Sequence, residues 1–177
     1  MDAALPLARP LDDLLLYRLS RLLAVAGSMV IRLCEGRFGI TRREWRLIAT
    51  LASRGELGSS QLADCAQLDR ARTSKAIGSL VAKRLVSRSH AVGDRRQVVL
   101  RLTEAGRALY DALFPLVAQI NAELLAALDA QGVAQLDASL ARLQAQAEAM
   151  VAKAELPKAD RRRKGAAAQR AGMSASV

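Results

Sequence analysis

Apolar residues recur along this 177-residue chain with two periods, and the change from one to the other marks its elements. From Leu11 to Arg37 they fall at Leu15, Leu19, Leu22, Ala26, Met29 or Val30, and Leu33, the spacing of one long amphipathic helix. Thr41-Arg-Arg-Glu44 is a capping box, so a second helix is expected from Thr41 through Trp45, Ile48, Leu51 and Ala52 to a stop near Gly55. A short helix, a turn and a further helix follow. Asp69 serves the last of these as an N-cap, the helix starts at Arg70, and Thr73, Ile77, Leu80 and Val81 share its inner face.

The period then shortens to two. Val86 to Ala91 and Gln97 to Leu102 are expected as strands, with Val98, Leu100 and Leu102 on one side and Val99 and Arg101 on the other. Between them lies Val-Gly-Asp-Arg-Arg, in which Gly93 and Asp94 supply turn chemistry. Thr103 caps another helix, expected to run to about Leu128 with a bend at Pro115. Beyond a break at Gln131-Gly132, Val133, Leu136, Leu140, Leu143, Ala147 and Met150 repeat as a seam of coiled-coil type. From Lys153 onward the apolar repeat is lost and Arg161 to Lys164 form a basic run, which predicts a disordered basic tail over 153–177.

Helix, turn, helix and a basic hairpin in succession are what a winged helix-turn-helix needs to enter DNA. On the outer face of the helix that starts at Arg70, Arg72, Lys75 and Ser79 project among the small residues Ala71, Gly78 and Ala82. A slim face with a few long donors suits a major groove about 12 Å wide. Arg95 and Arg96 at the hairpin tip place positive charge where a minor groove or a phosphate backbone could receive it. The net charge of +10 is concentrated in the residues from Arg54 to Arg101 and in the tail, whereas the helices between them are net acidic. That distribution fits a polyanion binder.

Other classes fit poorly. The longest apolar run, Leu22 to Ile31, is interrupted by Gly27 and Ser28 and bracketed by arginines, too short for a membrane span of roughly 20 residues. The N-terminus carries Asp2, Asp12 and Asp13 without a secretory pattern, so a cytoplasmic location is expected. Cys34 and Cys65 have no short spacing, and the single histidine, His90, has no nucleophile or ligand partner in sequence, so neither an enzyme, a metal site nor a cofactor is expected.

The residues Leu-Ala-Asp, then Leu-Asp-Arg-Ala-Arg-Thr-Ser-Lys-Ala-Ile, and finally Asp-Arg-Arg-Gln-Val-Val-Leu-Arg-Leu-Thr-Glu-Ala-Gly, from Leu62 to Gly106, resemble the winged-helix signature of MarR-type transcriptional regulators. The resemblance implies a mainly α fold with a small β-wing, a winged helix-turn-helix flanked by long dimerisation helices. It divides the chain into 1–53 and 104–152 as dimerisation and core helices, 54–103 as the DNA-binding lobe, and the tail. It places DNA contacts on Arg70, Arg72, Ser74 and Lys75, and the wing arginine on Arg96 with Asp94 orienting it. Arg84 departs from the family, which usually has glycine there to end the helix in a left-handed turn.

The resemblance also implies a homodimer on a pseudopalindromic operator, most often a repressor, released by a small aromatic or heteroaromatic carboxylate or a phenol. Arg18, half inside the apolar stripe of the first helix, and Trp45 and Arg46 on the second are the candidate ligand residues. Two alternatives stay open: a thiol redox sensor and a constitutive architectural DNA binder. For the former, Cys65, three residues from Leu62 and Leu68, is expected in the core, and Cys34 ends the first helix between Arg32 and Arg37, which favour a thiolate while the helix C-terminus opposes it. Peroxide sensors of the family carry their cysteine near the start of the first helix, where this chain has Leu14, Leu15 and Leu16.

Overall fold

A computed structural model describes residues 10–91 and 94–155, with only the backbone course given for 91 and 94–97. The chain divides between Ala127 and Leu128 into two units. In the first, helix α1 (Leu15–Arg37) follows a separate 3-10 turn, Leu11–Asp13, so the helix expected from Leu11 starts four residues later. Leu14 is extended and its N–H closes back on the Leu11 carbonyl, so the helical ladder begins afresh beyond it. Of the expected apolar stripe only Leu15, Leu19, Ala26, Val30 and Leu33 are half-buried, and Cys34 is the one buried residue of α1.

Helix α2 (Arg42–Arg54) starts at the predicted capping box: Glu44 N–H donates to Thr41 Oγ1 at 3.2 Å, and Thr41 N–H donates to Glu44 Oε2 at 2.7 Å. Its inner face buries Trp45, Leu47, Ile48 and Leu51 against Leu62, Ile77, Leu80, Leu100 and Leu113, which together form the core. Each such leucine or isoleucine contributes about 1.5–3 kcal/mol on full burial.

Helices α3 (Ser59–Cys65) and α4 (Arg70–Ala82) form the helix-turn-helix. Asp69 caps α4 as expected, its Oδ1 accepting from Arg72 N–H at 3.0 Å. Each helix ends in a Schellman turn on a residue other than glycine: Gln67 at φ 52° and Arg84 at φ 58°. At the end of α4, Leu85 N–H returns to the Leu80 carbonyl (3.0 Å) and Arg84 N–H to that of Val81 (2.9 Å). The left-handed cap therefore forms on Arg84 without glycine, against a steric penalty of roughly 1–2 kcal/mol.

The sheet has the antiparallel order β1-β3-β2, from β1 (Leu57–Gly58), β2 (Val86–Ala91) and β3 (Asp94–Leu102). The pattern of the sequence misses β1, a two-residue strand with no periodicity to read. It also starts β3 three residues late, since Asp94, Arg95 and Arg96 belong to the strand and the register shifts between His90 and Ala91. From Val98 to Leu102 the register is regular and the expected sides alternate, but burial does not follow them: Val99 and Leu100 are both buried while Val98 is 45% exposed.

Helix α5 (Glu104–Leu125) runs unbroken through Pro115 and stops three residues short of the expected end. Its cap fixes the wing's base: Thr103 Oγ1 accepts from Gly106 N–H at 3.0 Å and donates to the Arg84 carbonyl at 2.7 Å. Gly106 is itself buried, and a Cβ there would collide with the carbonyl oxygen of Leu85. That close approach is the physical reason for glycine at the end of the Leu-Thr-Glu-Ala-Gly segment.

In the second unit, helix α6 (Ala130–Lys153) is capped by Asp129, whose Oδ1 accepts from Gly132 N–H at 2.7 Å. The break expected at Gln131-Gly132 is thus the first turn of the helix, and the true interruption is 126–129. No residue of α6 is buried, and Leu136, Leu140, Leu143 and Met150 all stand exposed. The basic run of the tail lies outside the described residues. Among those described, no single helix is long and apolar enough to cross a membrane.

Gly106→Ala should lower stability by about 1–3 kcal/mol or more, because the colliding atom is backbone. Gly36→Ala, where a Cβ meets nothing within 4 Å, should be neutral or mildly stabilising. Thermal unfolding of the two variants checks this, and equal melting temperatures would refute the packing account of Gly106.

Candidate nucleic-acid interface and an adjoining cavity

Four of the predicted contact residues lie on the first turns of α4. Arg72, Ser74 and Lys75 are exposed and make no ion pair among the described residues. Arg70 is also exposed but meets Asp64 at 3.3 Å, a pair so solvated that it contributes about 0–1 kcal/mol and leaves the guanidinium available. Ser79 is different. It is half-buried and lines, with Glu44, a cleft between the start of α2 and α4, so it is less exposed than the outward projection expected of it. The side chains of Asp94, Arg95 and Arg96 lie outside what the structure describes; their backbone lies on β3.

Glu44 decides how α4 is held. Its side chain is 3% exposed and lies within hydrogen-bond reach of Lys83 Nζ at 3.1 Å (Oε1) and 3.0 Å (Oε2), while Lys83 also donates to the Gly39 carbonyl at 2.9 Å. Burial by itself would raise the carboxyl's pKa, but hydrogen bonds from Ser79, the Thr41 backbone and Lys83, with the Lys83 charge, together hold it below the ordinary value of 4.5. The charged carboxylate is therefore the resident form, and it ties the start of α2 to the second half of α4.

On the other side of α2 a cavity of about 330 Å³ opens between α1, α2 and α5. Leu23, Ala26, Val30, Ala49, Val117, Ile120 and Leu124 make its walls apolar, Asn121 adds an amide, and Trp45 stacks on Tyr110 with ring centroids 5.7 Å apart. Two cations enter it, Arg42 and Arg46. Arg46 was expected, and its Nη1 also donates to the Ala66 carbonyl in the turn between α3 and α4, at 3.4 Å. Arg42 was not expected. It is half-buried, makes no ion pair among the described residues, and lies so close to Gly27 of α1 that a Cβ there would sit 2.8 Å from its Nη1. Arg18, by contrast, is exposed and does not line the cavity; at 1.5 Å per residue it stands about 7 Å along α1 from Leu23, the nearest wall residue of that helix.

The two thiols exchange their expected places. Cys65 is exposed, since α3 ends there and turns Leu62, Ala63 and Ala66 inward, so its spacing to Leu68 has no helical meaning. Cys34 is fully buried, and burial, with the neighbouring Glu35 charge, pushes its thiol up against the opposing charge of Arg42. His90 is an exposed strand residue paired with Val98. Among the described residues no group of three or more His, Cys, Asp or Glu could hold a metal ion.

Residues 38–97, from the end of α1 through the helix-turn-helix into β3, match the family model described as MarR family. Over those 60 of its 177 residues the chain is similar to the MarR family. It is similar to the HTH-type transcriptional repressor NicR of Pseudomonas putida, 32% identical over 91 residues that cover 51% of this chain and 58% of the relative. The chain thus spans little more than half the length of that curated relative. A solved structure of a probable transcriptional regulator from Pseudomonas aeruginosa aligns with a TM-score of 0.64 and 27% identity, over 76% of this chain and 99% of that one. BpsR of Bordetella bronchiseptica, whose DNA binding is regulated by 6-hydroxynicotinic acid, aligns with a TM-score of 0.60 and 22% identity, over 72% of this chain and 98% of its own, and shares the fold. A winged helix-turn-helix with flanking helices is the MarR architecture, and this chain has it.

The Glu44 carboxyl, depressed in the folded protein, contributes stability that is fully present above its unfolded value and lost as pH falls through the folded one. Glu44→Gln should destabilise by about 1–3 kcal/mol near pH 7, by stranding Lys83 and weakening the accepted hydrogen bonds. The gap to wild type should close below pH 4.5. Urea unfolding at pH 7 and pH 3.5 measures it, and a pH-independent gap would show that the charge is not what holds α4.

Proposed function

We propose that this chain is a MarR-type, sequence-specific DNA-binding transcriptional regulator, a repressor that binds a pseudopalindromic operator as a homodimer. The observation that carries the reading is the first half of α4, where Arg72, Ser74 and Lys75 stand solvated and, among the described residues, free of ion pairs, on a helix whose end is tied to α2 through Lys83 and Glu44. Arg72 and Lys75 reach base edges or phosphates, and the wing arginines Arg95 and Arg96 take the minor groove or its backbone. The dimer is supported by apolar surface that stays exposed among the described residues. Val25 and Met29 on α1 are 75% and 48% exposed, and the seam of α6 has no buried residue. Two protomers would set two recognition helices on half-sites roughly one helical turn apart.

The same reading makes the chain a ligand-responsive regulator. The cavity beside α2 suits a flat ring with one acidic group: apolar walls and Trp45 for the ring, Arg42 and Arg46 for a carboxylate. Arg46 also holds the Ala66 carbonyl, so a carboxylate that draws Arg46 toward the cavity loosens the turn that presents α4. Such a ligand shifts the equilibrium only by binding the DNA-incompetent arrangement more tightly. The ligand class is a heteroaromatic carboxylate, for which 6-hydroxynicotinic acid, named with BpsR, is the first probe.

On duplexes enriched from a randomised pool by the protein itself, Arg72→Ala should weaken binding by about 1–3 kcal/mol and relax base preference, with little change on scrambled duplexes. Light scattering should give about twice the 19.0 kDa chain mass. An unenriched pool, or a monomer that binds as well, would remove the reading.

Trp45 is the single tryptophan, so its emission reports cavity occupancy directly. With 6-hydroxynicotinic acid or a congener as titrant, Arg42→Met should need about ten- to a hundredfold more ligand, the loss of one charge-assisted hydrogen bond. Arg18→Met should titrate and release DNA like wild type. An unchanged midpoint for Arg42→Met would take Arg42 out of the site.

A further inference from the structure

The start of α2 and the outer face of α4 enclose a surface cleft of about 430 Å³, separate from the apolar cavity. Arg43 and Thr41 border it on the α2 side, Arg72 and Lys75 on the α4 side, with Glu44 and Ser79 between them. Arg43, Arg72 and Lys75 are all exposed, and none is in an ion pair among the described residues. The carboxylate in the cleft does not cancel them, because Glu44 is already engaged by Lys83 and Thr41. Three uncompensated cations from two helices thus converge on one solvent-filled groove, continuous with the face that enters DNA in the reading above.

We propose that this cleft seats a phosphate of the DNA backbone beside the recognition helix, and that Arg43 of α2 is a DNA-contacting residue outside the helix-turn-helix. The inference rests on the DNA-binding reading and extends it. A groove of this shape admits a phosphodiester more readily than a base, since three cationic side chains line it beside Thr41, Ser79, Ala76 and the engaged Glu44, with no aromatic platform for stacking. Arg43 then fixes the position of α4 in the groove through a contact that carries no sequence information. It also joins the DNA backbone to the helix that carries Arg42 and Arg46, so displacement of α2 by a bound acid is felt at a phosphate as well as at the base edges.

The test compares wild type, Arg43→Ala, Arg43→Lys, Arg54→Ala and Arg72→Ala on the selected duplex and its scramble across a salt series. Arg43→Ala should weaken both duplexes about equally, on the order of tenfold, leave base preference intact, and reduce the slope of log K against log salt by about 0.9, one released counterion. Arg43→Lys should restore the slope, since an ammonium also neutralises a phosphate. Arg54→Ala removes the same charge at the other end of α2 and should leave the slope unchanged. An unchanged slope in Arg43→Ala, or an equal fall in Arg54→Ala, overturns the contact while leaving the DNA-binding reading standing. Failure of wild type itself to bind either duplex overturns both.

Discussion

One buried carboxylate holds the working parts of this protein in register. Glu44 is a residue of the first turn of α2, yet it accepts hydrogen bonds from the Thr41 backbone at the cap and from Lys83 just beyond α4. A charge removed from water is unfavourable unless its lone pairs are filled, and this one is filled from the ends of two helices at once. The orientation of α4 is therefore coupled to the start of α2 by electrostatics as well as by packing. The Schellman turn at Arg84 and the cap at Thr103 continue the chain of constraint, from the end of α4 into the wing and the first turn of α5.

The polar signals that set helix starts were legible because they are local. Thr41, Asp69 and Thr103 cap their helices where the sequence places them, since a cap needs only three or four consecutive residues. Asp129 is the same kind of signal and was overlooked in favour of Gln131-Gly132, although a glycine three residues after an aspartate is the cap's donor here and no helix stop. What the sequence could not display were relations across distance. The two residues of β1 acquire meaning only by pairing with Val99 and Leu100, some forty residues later in the chain. Cys34 and Cys65 change places between core and surface because the end of α3, not apolar spacing, decides which side of that helix faces inward.

The cavity lining shows the same division. Trp45 and Arg46 line it as their places on α2 suggest, whereas Arg18, set among apolar neighbours on α1, lies outside it and Arg42, in a basic pair following a cap, lies within it. A helical wheel ranks residues on one helix and says nothing about which turn of it meets a second. The cavity spans α1 from Leu23 to Val30, and Arg18 is out of reach by more than a helical turn.

Gly27 has a consequence for discrimination. By omitting a side chain it lets the Arg42 guanidinium rest against the backbone of α1, half-buried and in no ion pair among the described residues. An unoccupied cavity is thus already polarised, its one wall holding a positive charge in surroundings that solvate it poorly. A neutral amide or ester of the same shape would displace the remaining water from that guanidinium and return no charge to it, whereas an ionised acid supplies the missing counterion. Under the proposed ligand-responsive reading, selection between isosteric molecules by their protonation state would in that way be set by the absence of a single methyl group on the facing helix.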